Sequence, residues 1–344
     1  MTLADGIVYR KFCGSMITDK HVAFLGTSRS GLGHLRRIAN IATCMSKRAP
    51  RLRMSLISNA SPAGLDSSEL AAFGDVSVCK RSDMAALLSG SNVHLAVLDT
   101  LQVSGIESYR GLAALVLRET PQQCLNGFRR ADDRPWDCVI LPNPPEHWMP
   151  LIGKDFSHSV TAAGWILRPT GVRGLNEQSA GIVLATGGGG TPETRRQLYP
   201  LLKEVIGKAR SLARHGFHVR QALGPRAGAD ALPCVDEVFD PRGDLNVVFR
   251  AADLVISTAG YNSVLELAST DTPTMLVSIP RSLDDQAKRV SHWGPRLGFG
   301  LTPQTVDEAA QWLAHKSDQP VRRRPLDLGQ NGAERAAELL LAML

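Results

Sequence analysis

The sequence predicts an α/β protein built from two domains, each with a parallel sheet. Three observations carry this prediction. From residue 21 onward, short apolar runs alternate with segments of helical periodicity, which is typical of strand-helix-strand units. The pattern stops in a stretch rich in Gly, Pro and polar residues at 169–179, the predicted linker, and then starts again. The chain of 344 residues is also long enough for two domains that each bury a core.

The first domain, predicted over 21–168, contains five candidate strands. Each is a short apolar run, and they lie at 21–26, 53–58, 93–99, 115–118 and 137–141. Between the first two strands, apolar residues recur at three- and four-residue spacing, which predicts a helix with one face on the sheet. These residues are Leu32, Leu35, Ala39, Ala42 and Met45. Residues 1–20 lack a signal-peptide core and are interpreted as an extension before the first strand.

The second domain, predicted over 180–330, repeats the same alternation. Its candidate strands lie at 181–186, 217–222, 235–239, 253–257 and 274–278, and its candidate helices at 192–214, 244–251, 262–268 and 284–297. The last segment, 331–344, is predicted to be a helix with an apolar face.

Composition excludes several classes of protein. The longest apolar run near either end, 339–344, is far shorter than the ~20 residues that span a bilayer. The six cysteines form no CxxC pair and have no neighbouring His at metal-ligand spacing, so we interpret them as reduced core residues of a cytoplasmic protein. The formal net charge of +6 indicates an acidic partner. Because the basic residues are spread along the chain, a nucleic-acid partner is disfavoured.

Loops at the carboxyl ends of parallel strands are where open α/β sheets bind ligands. The first such loop carries Gly31-Leu32-Gly33-His34, and its glycines open a helix whose amino end attracts anions. Arg36 stands where a dinucleotide fingerprint has its third glycine, and no acidic residue closes the second strand, which disfavours nicotinamide or flavin. His34 is a candidate base for a hydroxyl or a water. The alternative is a helix-capping or structural histidine.

A second loop holds four glycines, a threonine and a proline at 187–192. Consecutive glycines cost backbone entropy, so their presence indicates that a ligand such as a diphosphate approaches the backbone closely. Thr191 adds a hydroxyl. No Lys-Ser/Thr pair follows, which disfavours a nucleotide-hydrolysing P-loop. A plain flexible turn is the alternative.

The third cluster, at 250–266, is the most specific. A buried strand runs into Gly260, and Glu266 lies on the following helix, where a carboxylate accepts both hydroxyls of a ribose. Farther along, Asp284, Asp285 and Gln286 open another helix, and their side chains suit the hydroxyls of a sugar. One of the two aspartates is alternatively a helix cap.

The segments AADLVISTAGYNSVLELA and SIPRSLDDQAKRV, preceded by ATGGGG and by SGLGHLRR, resemble the GT-B glycosyltransferases. The likeness is to the bacterial subgroup related to the N-acetylglucosaminyltransferase of peptidoglycan lipid synthesis, with GLGHLRR and AGYN motifs. It covers nearly the whole chain after residue 20 and is stronger in the carboxyl-terminal half. It implies two Rossmann-like domains whose parallel sheets face each other across a cleft, with 331–344 crossing back to the first domain.

The resemblance also implies roles for individual residues. The second domain would hold the nucleotide of an activated sugar, usually UDP, with no cofactor and no obligatory metal. His34 would lie near the acceptor and the donor phosphate as catalytic base or electrostatic partner, and Glu266 would bind the ribose. The other implied donor-binding residues are Gly33, Gly188, Gly189, Thr191, Gly260, Asn262, Ser263, Asp285 and Gln286.

The expected activity is transfer of a sugar from a nucleotide-diphosphate donor to a hydroxyl of a small-molecule or lipid-linked acceptor, by direct displacement. Two alternatives stay open: a nucleotide-sugar hydrolase that uses His34 and water, and a non-catalytic nucleotide-sugar-binding accessory subunit. A peripheral membrane contact through the arginines at 322–324 is a further expectation left open by the sequence.

Overall fold

Two parallel sheets organise the chain in a computed structural model, which describes residues 19–27, 32–62, 64–90, 92–101, 103–130, 133–168, 181–185, 192–223, 231–241, 245–280 and 284–344. The first sheet has the strand order β3-β2-β1-β4-β5-β6-β7. Its strands are β1 (His21–Gly26), β2 (Arg53–Ser58), β3 (Asp75–Val78), β4 (Leu95–Asp99), β5 (Leu112–Val116), β6 (Cys138–Leu141) and β7 (Val160–Ala162). Every neighbouring pair is parallel.

The second sheet repeats this arrangement with the strand order β10-β9-β8-β11-β12-β13, again parallel throughout. Its strands are β8 (Ile182–Ala185), β9 (Val219–Ala222), β10 (Glu237–Phe239), β11 (Leu254–Thr258), β12 (Thr274–Val277) and β13 (Gly298–Leu301). The prediction of two parallel-sheet α/β domains is confirmed. Strands β3, β7 and β13 were not predicted.

Helices lie between many of the parallel strands, as is usual for crossover connections, and also follow the last strand, β13. They are α1 (Gly33–Arg48), α2 (Ser67–Leu70), α3 (Met84–Ser89), α4 (Pro192–Leu212), α5 (Leu245–Ala251), α6 (Tyr261–Ala268), α7 (Gln286–Leu297), α8 (Val306–Asp318) and α9 (Gly332–Leu341). In the part of the chain described, no helix combines the length and the hydrophobicity that a membrane crossing requires.

Helix α1 packs on the first sheet by burying one face completely. Leu35, Ile38, Ala42 and Met45 recur at three- and four-residue spacing and have no exposed surface. They pack with the strand side chains of the first sheet in one hydrophobic cluster. The amino end of α1 is therefore held at the carboxyl edge of β1.

The last helix, α9, also packs into the core of the first domain. Its residues Ala333, Ala336 and Leu340 are fully buried in the same cluster as α1. The Asn331 side chain fixes the start of α9, because its Oδ1 accepts from the Ala333 N–H at 3.0 Å. It also exchanges two hydrogen bonds of 3.0 Å with the Leu167 backbone. The chain thus returns from the second sheet to the first.

Candidate active site

The carboxyl ends of the two sheets meet in a cleft, and polar contacts cross it. The Asn262 Nδ2 atom, on α6, donates to the Gly33 carbonyl at 3.2 Å. After β5, Arg118 NH1 lies 2.6 Å from the Asp284 carboxylate, which precedes α7. Two of the predicted residues, Gly33 of the first domain and Asn262 of the second, are therefore in contact across the cleft.

On the first-domain side, His34 and Asp99 form a hydrogen-bonded pair. His34 is the second residue of α1, and Asp99 is the last residue of β4. Because β4 lies beside β1 in the sheet, the two strand ends bring these residues together. His34 Nδ1 lies 3.0 Å from Asp99 Oδ1. Asp99 is fully buried, whereas about a quarter of the His34 side chain (26%) is exposed to the cleft.

Arg37, one turn farther along α1, holds the same carboxylate from its other side. Its Nε donates to Asp99 Oδ2 at 2.7 Å, and its second nitrogen, NH2, donates to Oδ1. Burial alone would raise the pKa of Asp99, but the Arg37 charge and the His34 hydrogen bond lower it to about 2. Asp99 is therefore a carboxylate acceptor at neutral pH.

The same surroundings set the protonation state of His34. Burial lowers the pKa of the His34 ring, the hydrogen bond to Asp99 opposes this, and the charges of Arg37 and Arg118 lower it further. An ionised carboxylate accepts only, so the proton of the neutral ring lies on Nδ1 and the lone pair on Nε2. A histidine in this state can take a proton from a hydroxyl or a water.

On the second-domain side, Gly260 caps α6 in an extended conformation at the end of β11. The next residue, Tyr261, is buried, and its hydroxyl donates to the Pro142 carbonyl of the first domain. Its ring lies under the Arg37 guanidinium, with the Cζ atom 4.9 Å from the ring centroid. Burial raises the pKa of Tyr261, so this phenol stays neutral. Tyr261 thus joins α6 to both β6 and the Asp99–Arg37 pair.

Glu266 lies one and a half turns into α6 and is 8% exposed. It lines a cavity of about 220 Å³ together with Asn262, and the other lining residues are Asn40, Ile166, Leu167, Arg168, Asn246, Leu265, Ser269 and Asn331. Ser263 is half-buried beside Gly260, where a Cβ on the glycine would come 3.6 Å from its hydroxyl. A polar cavity with a buried carboxylate suits the hydroxyls of a ribose.

The predicted sugar-binding residues before α7 have internal partners. Asp285 caps α7 by accepting from the Lys288 N–H at 3.0 Å. Gln286 is buried, accepts from the Ile279 N–H and donates to Asp284. The carboxylate that reaches the cleft is Asp284, which pairs with Arg289 at 2.7 Å as well as with Arg118. Burial would raise the pKa of Asp284, but the two arginines lower it to about 2.

Three predicted donor residues, Gly188, Gly189 and Thr191, lie outside the described residues, as does the predicted linker at 169–179. Among the residues that the structure does describe, no group of three His, Cys, Asp or Glu side chains could hold a metal ion.

Sequence reasoning missed the partners of His34 and the ion pairs of the cleft. A signal for Asp99 was present, since a carboxylate directly follows the apolar run of β4 and thus lies at the ligand-binding edge. The sequence gives no such signal for Arg37, because it does not distinguish a buried arginine on a helix from a solvent-exposed one. Arg118 and Glu119 follow β5 in the same way, and Glu119 pairs across the cleft with Lys288 at 2.7 Å.

No family model matches the chain. Among curated proteins, it is similar to the UDP-N-acetylglucosamine–N-acetylmuramyl-(pentapeptide) pyrophosphoryl-undecaprenol N-acetylglucosamine transferase of Nocardioides sp. The two are 31% identical over 133 residues, which are 36% of this chain and 34% of that protein. The Pseudomonas putida enzyme of the same name is 27% identical over 175 residues, 48% of this chain and 46% of that protein. The chain thus spans about a third to a half of the length of these relatives.

Solved structures match over almost the whole chain. The glycosyltransferase of kitacinnamycin aligns with a TM-score of 0.58 at 12% identity, covering 94% of this chain and 99% of that one. MurG of Acinetobacter baumannii aligns with a TM-score of 0.54 at 14% identity, with the same coverage. A putative UDP-N-acetylglucosamine 2-epimerase of Listeria monocytogenes aligns with a TM-score of 0.56 at 11% identity, covering 94% and 95%. The chain has the GT-B fold of two facing parallel-sheet domains.

Proposed function

We propose that this protein is a glycosyltransferase that moves a sugar from a UDP-sugar to a hydroxyl of a lipid-linked acceptor. The observation that carries the proposal is the His34–Asp99 pair at the start of α1, where the Gly33 carbonyl accepts a hydrogen bond from Asn262 of α6 across the cleft. A base and a nucleotide-binding surface on opposite walls are what direct transfer requires.

The donor side of the proposal rests on α6. Glu266 would accept both ribose hydroxyls in the cavity it lines, and the free N–H groups at the start of α6, after Gly260, would face the diphosphate. Gly188, Gly189 and Thr191 would complete the phosphate site. UDP is proposed because the two curated relatives are named for a UDP-linked donor.

The acceptor side rests on His34. The acceptor oxygen attacks the anomeric carbon while His34 Nε2 takes its proton, and the bond from that carbon to the diphosphate oxygen breaks. The electron pair leaves with UDP, whose charge is stabilised by the amino end of α6 and by cleft arginines. We propose no cofactor and no obligatory metal, since these groups supply the positive charge. A lipid-linked acceptor is favoured over a small molecule because the relatives are named for an undecaprenol-linked substrate.

A thermal-shift panel of nucleotides and nucleotide sugars tests the donor, because a ligand that binds only the native state raises the melting temperature. We expect UDP-sugars to shift the transition more than ADP- or GDP-sugars. Free sugar released without an acceptor would instead indicate a nucleotide-sugar hydrolase that uses the same histidine. Tight donor binding with neither transfer nor hydrolysis would indicate a non-catalytic accessory subunit.

A further inference from the structure

Arg37 lies against His34, Asp99 and Tyr261, three residues that no single sequence motif contains. It is 2% exposed, lies one turn after His34 on α1, and binds both oxygens of Asp99. Its guanidinium also covers the ring of Tyr261, which belongs to the second domain. A planar guanidinium held at a carboxylate by two bonds and at a ring by its face has little freedom to move.

The guanidinium also approaches the imidazole. Arg37 NH2 lies 3.3 Å from His34 Nδ1. Both nitrogens are donors when Nδ1 carries the proton that Asp99 accepts, so this approach is not a hydrogen bond. A second positive charge on the ring would face the guanidinium at this distance, in a place where water is largely excluded.

We propose that Arg37 is a positioning residue for the reaction, which holds Asp99 ionised and keeps the His34 ring neutral with Nε2 ready to accept a proton. This inference rests on the proposed function. Arg37 acts through Asp99 and His34 and need not touch the substrate.

The other charged and titratable groups around the pair do not replace Arg37. In the part of the chain that the structure describes, they are Arg118 after β5, Tyr261 on α6, Asp284 before α7 and Arg289 on α7. Arg118 and Arg289 both bind the Asp284 carboxylate, and Tyr261 stays neutral. Arg37, by contrast, bonds directly to both oxygens of Asp99.

Removing the Arg37 charge changes which positive group neutralises the Asp99 carboxylate. In Arg37→Gln, a neutral amide still donates to the carboxylate, and the counter-charge nearest to Asp99 becomes a protonated His34. The protonated His34 ring is then favoured, so the pKa of His34 rises. As the pH falls, His34 therefore stops acting as a base at a higher pH than in the wild type. We expect the acid limb of the kcat/KM profile to move up by about one pH unit or more.

The experiment compares pH profiles of kcat/KM for wild type, Arg37→Gln, Arg37→Lys and Arg36→Gln. Arg36 is the matched control, because it lies next to Arg37 but points to Glu69, with Nε 3.3 Å from that carboxylate. We expect the midpoint to rise in Arg37→Gln alone. Arg37→Lys keeps the charge but loses the two-bond geometry, so its kcat should fall while its midpoint stays.

An unmoved midpoint in a folded Arg37→Gln, or an equal rise in Arg37→Lys, would overturn the inference. Proton NMR titration of the His34 ring, assigned with His34→Gln, measures the same pKa without substrate. If the wild type transfers no sugar but the ring still titrates higher in Arg37→Gln, the proposed function fails and the role of Arg37 in setting the ring charge stands. If the wild type transfers sugar but Arg37→Gln raises neither the pKa of the His34 ring nor the midpoint of the kcat/KM profile, the inference about Arg37 fails and the proposed function stands.

Discussion

The Nδ1 atom of His34 lies 3.0 Å from Oδ1 of Asp99, although 65 residues separate the two along the chain. The pairing follows from the fold, because α1 begins where β1 ends and Asp99 ends the neighbouring strand β4. It orients the imidazole ring of His34 for the base role proposed above.

His34→Gln and Asp99→Asn should each lower kcat by about 10²- to 10⁴-fold, because the first removes the base and the second removes the acceptor that orients it. Binding of UDP, measured by calorimetry, should change little in either variant. His158→Ala is the control, since this histidine is exposed and remote from the cleft. Full transfer by His34→Gln would exclude His34 as the base.

Glu266→Ala should weaken UDP binding by about 1–3 kcal/mol, or roughly 5- to 150-fold, because the ribose hydroxyls lose their buried acceptor. Isothermal titration calorimetry measures this directly. Glu308, exposed on α8, provides the matched Glu308→Ala control. Equal affinities for the two variants would place the ribose elsewhere.

Arg118→Met should favour an open cleft, because the partly buried ion pair between Arg118 and Asp284 joins the two domains. We expect the free energy that favours the closed cleft to fall by about 1.5–3 kcal/mol. The loss is smaller than for a fully unpaired buried charge, because Arg289 still pairs with Asp284. Small-angle scattering should show a larger radius of gyration. Arg53→Met, which breaks an exposed ion pair within the first sheet, should leave it unchanged. An unchanged radius of gyration in both variants would contradict this prediction and would mean that other contacts keep the cleft closed.

Two glycines should respond in opposite directions to alanine. At Gly332, a Cβ would lie 2.3 Å from the Gly164 carbonyl oxygen, so Gly332→Ala should lower the free energy of unfolding by about 1–3 kcal/mol. At Gly207, inside α4, nothing lies within 4 Å, so Gly207→Ala should raise it by about 0.5–1 kcal/mol. Urea denaturation measures both. A neutral Gly332→Ala would contradict the close contact between α9 and the 163–164 backbone.

Stability should fall on acidification. Asp99, Glu119 and Asp284 each have a pKa near 2 in the folded state: burial opposes the shift, but their Arg, His and Lys partners outweigh it. Because these values lie below the ~4 of an unfolded carboxyl, the stabilisation is complete above about pH 5 and is lost as the pH falls from about 4 toward 2. Each carboxylate contributes on the order of 2–3 kcal/mol. Urea midpoints at pH 6 and pH 3 check this; equal midpoints would contradict it.

Much of the fold was predictable because most strands are apolar runs. Strands β3, β7 and β13 were missed for physical reasons. The β3 sequence, Asp75–Val78, is largely exposed at a sheet edge and β7 has three residues, so neither shows a buried run. In β13, two glycines interrupt the hydrophobic pattern. These strands form because a neighbouring strand offers backbone partners.

The candidate site was predictable only where a motif marked it. His34 and Glu266 stood out by their place after glycine turns. Arg37 and Asp99 meet across 62 residues, and Arg118 and Asp284 meet between domains, so local patterns carry no trace of either contact. For Asp284 and Asp285 the sequence left a sugar ligand and a helix cap open, and in the structure the Asp285 carboxylate caps α7.

Product analysis by mass spectrometry tests the proposed sugar transfer most directly. The reaction contains wild-type protein, UDP-N-acetylglucosamine and an undecaprenyl-diphosphate-linked sugar as acceptor. We expect an acceptor product heavier by one sugar residue, one UDP released for each product, and loss of both in His34→Gln. Release of UDP and free sugar at the same rate with and without the acceptor would contradict it.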